Sequence, residues 1–305
     1  MRKITLLTIM VAAGLVASAA DPDLNGDGKV NRADYSLLAT ALVSGTYTAA
    51  YDLNSDGLLD AVDANLLLDQ IPPISNETFT VNGVSFTMVA VEGGTFTMGA
   101  SSEQGSDAYD DEKPTHQVTL SDFSIGETEV TEGLWTAVMG SNPSNNKKGD
   151  NYPVEYVTWN DCQTFIAKLN ELTGEAFRLP TEAEWEFAAR GGTQSQGYKY
   201  SGSNTIGDVA WYYDNSGNAK HPVATKAANE LGLYDMSGNV WEWCQDWYGS
   251  YSSGAQTDPT GPTTGSGRVK RGGSWDDDAG NCRVSNRYFH TPSRRISYLG
   301  LRLAR

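Results

Sequence analysis

Two short acidic segments with the same spacing of oxygen-bearing side chains constrain the N-terminal part of the chain most strongly. They begin at Asp23 and Asp52, 29 residues apart, and each has glycine at position 6. Hard oxygen ligands alternating along a twelve-residue loop, with a backbone carbonyl at position 7, are typical of calcium loops. The predicted ligand residues are Asp23, Asn25, Asp27, Lys29, Asn31 and Asp34 in the first loop, and Asp52, Asn54, Asp56, Leu58, Asp60 and Asp63 in the second.

One helix is predicted after each loop, over residues 35–43 and 64–71. The apolar residues of the two helices are expected to pack together: Leu37, Leu38 and Leu42 against Leu66, Leu67 and Ile71. A module of about fifty residues buries little apolar surface, so calcium is expected to supply much of its folding free energy.

Paired calcium loops with a helix on the C-terminal side only, and Asp rather than Glu at position 12, resemble the type I dockerin module. The resemblance covers residues 21–71. It implies a small all-α domain that docks a cohesin-like partner. A calcium-stabilised module without a partner is the alternative, and both interpretations stay open. Residues 72–78, which begin with Pro72 and Pro73, form a stiff linker.

Residues 1–20 have the pattern of a secretory signal peptide. Arg2 and Lys3 precede an apolar run over 4–16, and small residues follow at 17–20. A transmembrane anchor is the alternative, but the run is short for a membrane span. We therefore expect a secreted protein, extracellular or periplasmic, without a membrane span. The net charge of -16 argues against nucleic acid as a partner, because phosphates would be repelled.

The remaining residues, 79–305, contain two clear helical segments and a hairpin. Thr181 and Glu184 form a capping box that begins one helix, and Gly174 ends the preceding helix near Thr173. Asn82 and Gly83 between alternating residues predict the hairpin. Most of the rest is expected to consist of short strands and loops.

Five segments of this domain resemble the formylglycine-generating enzyme family, also called the sulfatase-modifying-factor family. They lie at residues 88–99, 177–186, 232–243, 268–275 and 299–302, in the family's order. The resemblance implies an α+β fold related to C-type lectins, with little regular secondary structure. It also implies structural calcium near the Gly-Asn-x-Trp-Glu-Trp segment, with Asn239 and Glu242 as candidate ligands.

The family's oxidase binds copper(I) through two cysteines, three and eight positions after the serine of its Gly-Gly-Ser motif. Counted from Ser274, these positions hold Asp277 and Cys282. Copper(I) is a soft ion that prefers thiolates, and a carboxylate is a poor substitute. The residues therefore argue against oxidase chemistry, although the fold is expected to match.

The chain has three cysteines, so at least one thiol is unpaired within it. The family's topology implies that Cys244 and Cys282 lie near the same face, where a disulfide between them is one possibility. Cys162 would then be a buried free thiol. Free thiols at all three positions are the alternative.

A ligand-binding face is predicted near the C-terminus, where aromatic and polar residues alternate on loops. The chosen contacts are Asp276, Asp277, Asp278, Tyr288, Phe289, His290 and Tyr298. The three aspartates could also form a hard-metal site or a solvated loop. Residues 272–300 resemble the variable region of retroelement-diversified proteins that use this fold, and ordinary tolerance of loop substitutions is the alternative.

Three functional hypotheses follow. The first is a secreted, non-catalytic binding protein with calcium as its cofactor and an unknown protein or glycan ligand. The second is a divergent formylglycine-generating oxidase that modifies sulfatases, with Cys282 as its catalytic cysteine and copper as its cofactor. The third is a structural surface component without a ligand.

Overall fold

The structure is a computed structural model that describes residues 21–26, 30, 32–70 and 74–305. The chain divides into two compact units, Met1–Pro73 and Ile74–Arg305. The proposed signal peptide at 1–20 lies outside the described residues, as do Asp27, Lys29 and Asn31 of the first calcium loop. None of the described helices is both long and apolar enough to cross a membrane.

The N-terminal unit contains the two helices expected after the loops. Helix α1 spans Arg32–Ser44 and α2 spans Ala61–Leu68, with a short 3-10 turn at Ala49–Tyr51. Helix α2 begins earlier than predicted because Asp60 caps it. The Asp60 side chain accepts a hydrogen bond from the Val62 N–H at 2.7 Å, which satisfies a donor of the first turn.

The core of this unit is small. Its buried residues are Leu38, Leu53, Ala64 and Leu67. The predicted contact of Leu37 with Leu66 is wrong in part, since these side chains are 38% and 37% exposed. When two short helices pack together, each buries only one stripe of its surface. Leu37 and Leu66 lie beside that stripe and stay partly exposed to solvent. Ile71 lies outside the described residues.

The C-terminal unit is a mixed α/β fold with ten short strands among its described residues. They are β1 Glu77–Val81, β2 Val84–Val91, β3 Gly94–Met98, β4 His116–Leu120, β5 Phe123–Gly126, β6 Trp241–Trp247, β7 Gln256–Thr257, β8 Arg268–Arg271, β9 Arg287–His290 and β10 Leu299–Leu301. Three sheets result, with strand orders β1-β2-β5, β3-β4-β7 and β10-β6-β8-β9. The hairpin between β1 and β2 confirms the prediction, with φ of 49° at Asn82 and 85° at Gly83.

The described part of this unit has four α-helices, α3 Glu132–Met139, α4 Trp159–Thr173, α5 Glu182–Ala189 and α6 Ile206–Val209, of which the first three pack against strands. The predicted capping box is present at the start of α5, where Thr181 and Glu184 cap each other's backbone. Gly174 ends α4 with φ of 77°, a conformation that glycine adopts without strain. The limited amount of regular structure confirms the predicted fold class.

Buried ion pairs connect the loops of this unit to its helices and strands. Four arginines that are almost fully buried each meet a buried glutamate: Arg271 with Glu186, Arg283 with Glu112, Arg287 with Glu182, and Arg302 with Glu242. Several of these residues belong to the segments that carried the family resemblance. Their pairing satisfies charges that would be costly to bury alone.

Candidate functional site

The second calcium loop forms a compact turn that its own carboxylates shape. The two Asp52 side-chain oxygens accept hydrogen bonds from the N–H groups of Asp56 and Gly57, at 3.1 and 2.8 Å. Asn54 Nδ2 donates to Asp56 Oδ2 at 2.9 Å, so the side chains of loop positions 1, 3 and 5 converge. Gly57 has φ of 85°, which permits the bend.

The twelfth residue closes each loop in the same way. Asp63 Oδ1 accepts hydrogen bonds from the N–H groups of Leu53 and Asn54, at 2.8 and 3.3 Å. Asp34 Oδ1 accepts the equivalent pair from Leu24 and Asn25, at 2.8 and 3.1 Å. The two loops therefore share one architecture over the parts that the structure describes.

The donor chemistry of the loops fits calcium, because the oxygens are hard and numerous. Within the described residues, no three His, Cys, Asp or Glu side chains form a ready-made metal cluster. The carboxylates instead hold backbone N–H groups, and the second loop keeps Asp52, Asp56 and Asp63 on one turn. The site residues of the loops remain predictions.

The two positions that hold copper ligands in the family's oxidase are Asp277 and Cys282 in this chain. Asp277 is hydrogen-bonded to other side chains, and Cys282 is buried. One Asp277 oxygen accepts hydrogen bonds from Trp241 Nε1, at 2.8 Å, and from Ser274 Oγ. The Cys282 side chain is fully buried, and burial, reinforced by the charge of Asp277, raises the pKa of its thiol. One protonated thiol and one hydrogen-bonded carboxylate do not fit copper(I), which requires thiolates.

The three cysteines are all free and buried, so the structure does not contain the disulfide between Cys244 and Cys282. The two thiols belong to different apolar clusters. Cys244 packs with residues such as Trp185 and Val269, whereas Cys282 packs with Tyr200 and Val209. The expectation that both cysteines lie near the same face could not identify a bonded pair. A disulfide requires close approach of the two β-carbons.

Asn239 and Glu242, the candidate calcium ligands of the Trp-Glu-Trp segment, have internal partners. Glu242 accepts hydrogen bonds from Arg302 and from Trp185 Nε1. Asn239 Oδ1 accepts the His221 N–H at 3.0 Å. Glu242 therefore acts as the buried counter-ion of Arg302, and its oxygens have little remaining capacity for a metal.

Several of the predicted ligand contacts gather around one lysine that the sequence analysis did not single out. Lys270 lies on β8 opposite Tyr288 of β9. Its Nζ lies 3.8 Å from the ring centroid of Trp241, 5.2 Å from that of Tyr288 and 5.7 Å from that of Tyr298. Trp275 also meets Tyr298 edge to face, at 6.3 Å between ring centroids. We call Trp241, Trp275, Tyr288, Tyr298 and Lys270 the aromatic recess.

The other predicted contacts surround this recess or point away from it. Asp276 and Asp278 are exposed, and Tyr288 is 52% exposed. His290 meets Tyr288 at 5.8 Å between centroids. Phe289 instead packs on Tyr248, at 4.4 Å, because alternate residues of a strand face opposite sides. That alternation was the signal that could have separated Phe289 from its neighbours.

These features define a class of protein in which a mixed α/β domain with buried Arg–Glu pairs follows two acidic loops of shared architecture. Residues 76–305 match the sulfatase-modifying factor enzyme 1-like domain, and residues 21–71 match the type I dockerin domain. The chain therefore belongs to the sulfatase-modifying factor enzyme 1-like family and carries an N-terminal type I dockerin domain.

Three known proteins illustrate the range of this similarity. Chaperone protein LppX of Paenibacillus barcinonensis is 38% identical over 252 residues, covering 66% of this chain and 83% of that protein. The formylglycine-generating enzyme of Streptomyces coelicolor is 32% identical over 283 residues, covering 71% and 88%. The structure of Treponema denticola variable protein 1 superposes with a TM-score of 0.69 at 37% identity, covering 76% and 99%.

Proposed function

We propose that this chain is a secreted, non-catalytic binding protein that presents a ligand face at its C-terminus. The aromatic recess and the exposed aspartates beside it carry the proposal. Four aromatic side chains line one side of β8 and β9, and Asp276 and Asp278 add polar groups that are open to solvent. Rigid aromatic rings beside adaptable polar groups favour binding of a protein or a glycan.

The copper positions support a non-catalytic role. An oxidase of this family needs two thiolates, and this chain offers Asp277 and the buried thiol of Cys282. The similarity to Treponema denticola variable protein 1 accords with the resemblance of residues 272–300 to a variable region. The divergent oxidase remains the second candidate, because relatives named formylglycine-generating enzyme are 32% identical to this chain.

The dockerin module supplies attachment in this account. Calcium would be held by the loop oxygens of Asp52, Asn54, Asp56 and Asp63, with the Leu58 carbonyl and Asp60 completing the second site. The first loop would use its equivalent residues. Calcium held there would order the turn that precedes each helix, and the ordered module would bind a cohesin-like domain on a partner. The N-terminal segment at 1–20 would direct export, which brings the module to an extracellular or periplasmic partner.

The test is a binding screen with the full chain in calcium buffer against glycan and protein arrays. We expect hits that Tyr288→Ala and Tyr298→Ala each weaken at least tenfold. Leu172→Ala is the matched control, since Leu172 is 48% exposed on α4, outside the face. Hits that all three variants retain equally, or an absence of hits, would favour a structural component without a ligand.

A further inference from the structure

Lys270 is enclosed in an unusual way for a lysine. The residue is only 3% exposed, and the rings of Trp241, Tyr288 and Tyr298 surround its amine. The amine has no hydrogen-bond partner among the described residues and retains only a small contact with solvent. The amine therefore lies at the base of the aromatic recess, almost covered by the three rings.

No carboxylate among the described residues pairs with this amine. Lys270 forms no ion pair there, in contrast to Lys220, which meets Glu132 at 2.6 Å. Asp277 is near enough to affect Lys270 electrostatically, but its carboxylate is held by Trp241 and Ser274. The lysine is thus a buried amine without a dedicated acceptor.

Burial in this environment disfavours the ammonium form. Desolvation lowers the pKa of Lys270 to about 7, and Asp277 opposes the shift. The same neighbourhood lowers the pKa of His290 to about 4, through burial and then the charges of Lys270 and Arg294. The titratable and charged groups around the amine are Asp277, Tyr288, His290, Arg294 and Tyr298. The ring face of Trp241, 3.8 Å from Nζ, favours the ammonium in turn, so both forms of the amine are populated near neutral pH.

The geometry points to Lys270 as a nucleophilic amine that captures a carbonyl-bearing ligand, such as an aldehyde, as a reversible imine in the aromatic recess. This inference rests on the proposed function, because it assigns a ligand class to the same face. A desolvated lysine in an apolar pocket is a known way to activate an amine. Nothing else in the described recess offers a nucleophile of comparable strength.

The reaction balances without an oxidant or a reductant. The lone pair on Nζ attacks the carbonyl carbon, and a C–N bond forms as the carbonyl oxygen takes up a proton. The resulting carbinolamine then loses that oxygen as water, with the second amine proton, to leave a C=N bond. Hydrolysis reverses each step. The rings of Tyr288 and Tyr298 can pack on the apolar part of the ligand, which shields the imine from water.

The experiment uses the full chain in calcium buffer, with propanal as the probe and sodium cyanoborohydride to trap any imine as a secondary amine. Peptide mass mapping then gives the alkylation rate at each lysine. At pH 7 about half of Lys270 would be unprotonated, against roughly four parts in ten thousand for a lysine of ordinary pKa. We expect Lys270 to react at least tenfold faster than the exposed Lys168, with a rate that rises between pH 5.5 and 8 and then levels.

The exposed lysines are internal controls in the same sample, so no variant has to fold. Alkylation that is confined to exposed lysines, or a Lys270 rate that rises only above pH 9, would overturn the inference. The two proposals fail separately. If ligand binding depends on Tyr288 but Lys270 is not alkylated, only the nucleophilic role of Lys270 is refuted. A reactive Lys270 on a face that binds nothing in the arrays refutes only the binding role.

Discussion

At the scale of single residues, the family motifs of this chain act as buried counter-ions. Glu242 accepts hydrogen bonds from Arg302 and Trp185, and Arg302 also donates to the backbone carbonyls of Gly126 and Tyr234. Both side chains are almost completely buried. Glu242, a candidate metal ligand in the sequence, therefore connects its own strand to the segments that contain Trp185 and Arg302.

Glu242→Gln should destabilise the C-terminal unit strongly, because it leaves the Arg302 guanidinium buried without a counter-ion. We expect the free energy of unfolding in urea to fall by about 3–5 kcal/mol. The matched control is Asp161→Asn, which breaks the more exposed pair with Arg295 and should cost about 1 kcal/mol or less from that pair. A Glu242→Gln loss no larger than the control's would contradict the assigned role.

Asp246 gives the fold a pH dependence at the residue scale. Burial, followed by the nearby charge of Glu182, raises the pKa of its carboxyl to about 8, against about 3.9 in an unfolded chain. The native state therefore keeps a proton that the unfolded state releases, and stability is lost as pH rises from about 4 to 8.

Asp246→Asn should reduce this slope, since the amide cannot ionise and its oxygen can still accept the Glu182 N–H that Asp246 accepts at 3.0 Å. Urea unfolding at pH 5, 6, 7 and 8 measures how the free energy of unfolding changes with pH. Asp110→Asn, at a fully exposed carboxylate, is the control that should leave the slope unchanged. Equal slopes for Asp246→Asn and the unaltered chain would refute the assignment.

At the scale of elements, the two loops that carry the predicted calcium ligands form one unit with their helices, and its core is small. Asp63 both closes the second loop and caps α2, since its second oxygen accepts the Asp60 N–H at 3.0 Å. Asp63→Ala should therefore abolish calcium-dependent folding of this unit, as followed by circular dichroism of the isolated module during a calcium titration. Asp69→Asn, just after α2, should behave as the unaltered module. Folding of the Asp63→Ala module at the same calcium concentration as its parent would contradict this role.

The sequence was informative about elements whose signals are local. The capping box at Thr181 and the turn at Asn82-Gly83 each depend on neighbouring residues, so α5 and the first hairpin could be predicted. The recess at Lys270 could not be, because Trp241, Tyr288 and Tyr298 come together only through the pairing of β6, β8 and β9 and the parallel addition of β10. The cysteine pairing failed for the same reason, since it depends on which core cluster encloses each thiol.

At the scale of the whole molecule, the two units have separate cores and different sources of stability. The N-terminal unit buries only a small core, so we propose that its stability depends on calcium, whereas the C-terminal unit has large apolar clusters and buried ion pairs. We expect a calcium chelator to remove the thermal transition of the first unit and to leave that of the second unchanged. Differential scanning calorimetry of the full chain and of residues 74–305 measures this. A shorter chain that unfolds many degrees lower than the second transition of the full chain would contradict the separation.

Asp277 and the buried thiol of Cys282 occupy the positions of the family's copper(I) ligands, and we propose that this chain binds a ligand there without oxidising it. The most direct measurement loads the full chain with copper(I), in competition with a chelating dye, and follows conversion of the cysteine in a sulfatase-motif peptide to an aldehyde by mass spectrometry. We predict no specific copper(I) uptake and no conversion, whereas Asp277→Cys should gain copper(I) affinity as the second thiol is supplied. Peptide oxidation by the unaltered chain that disappears in Cys282→Ser would contradict the account.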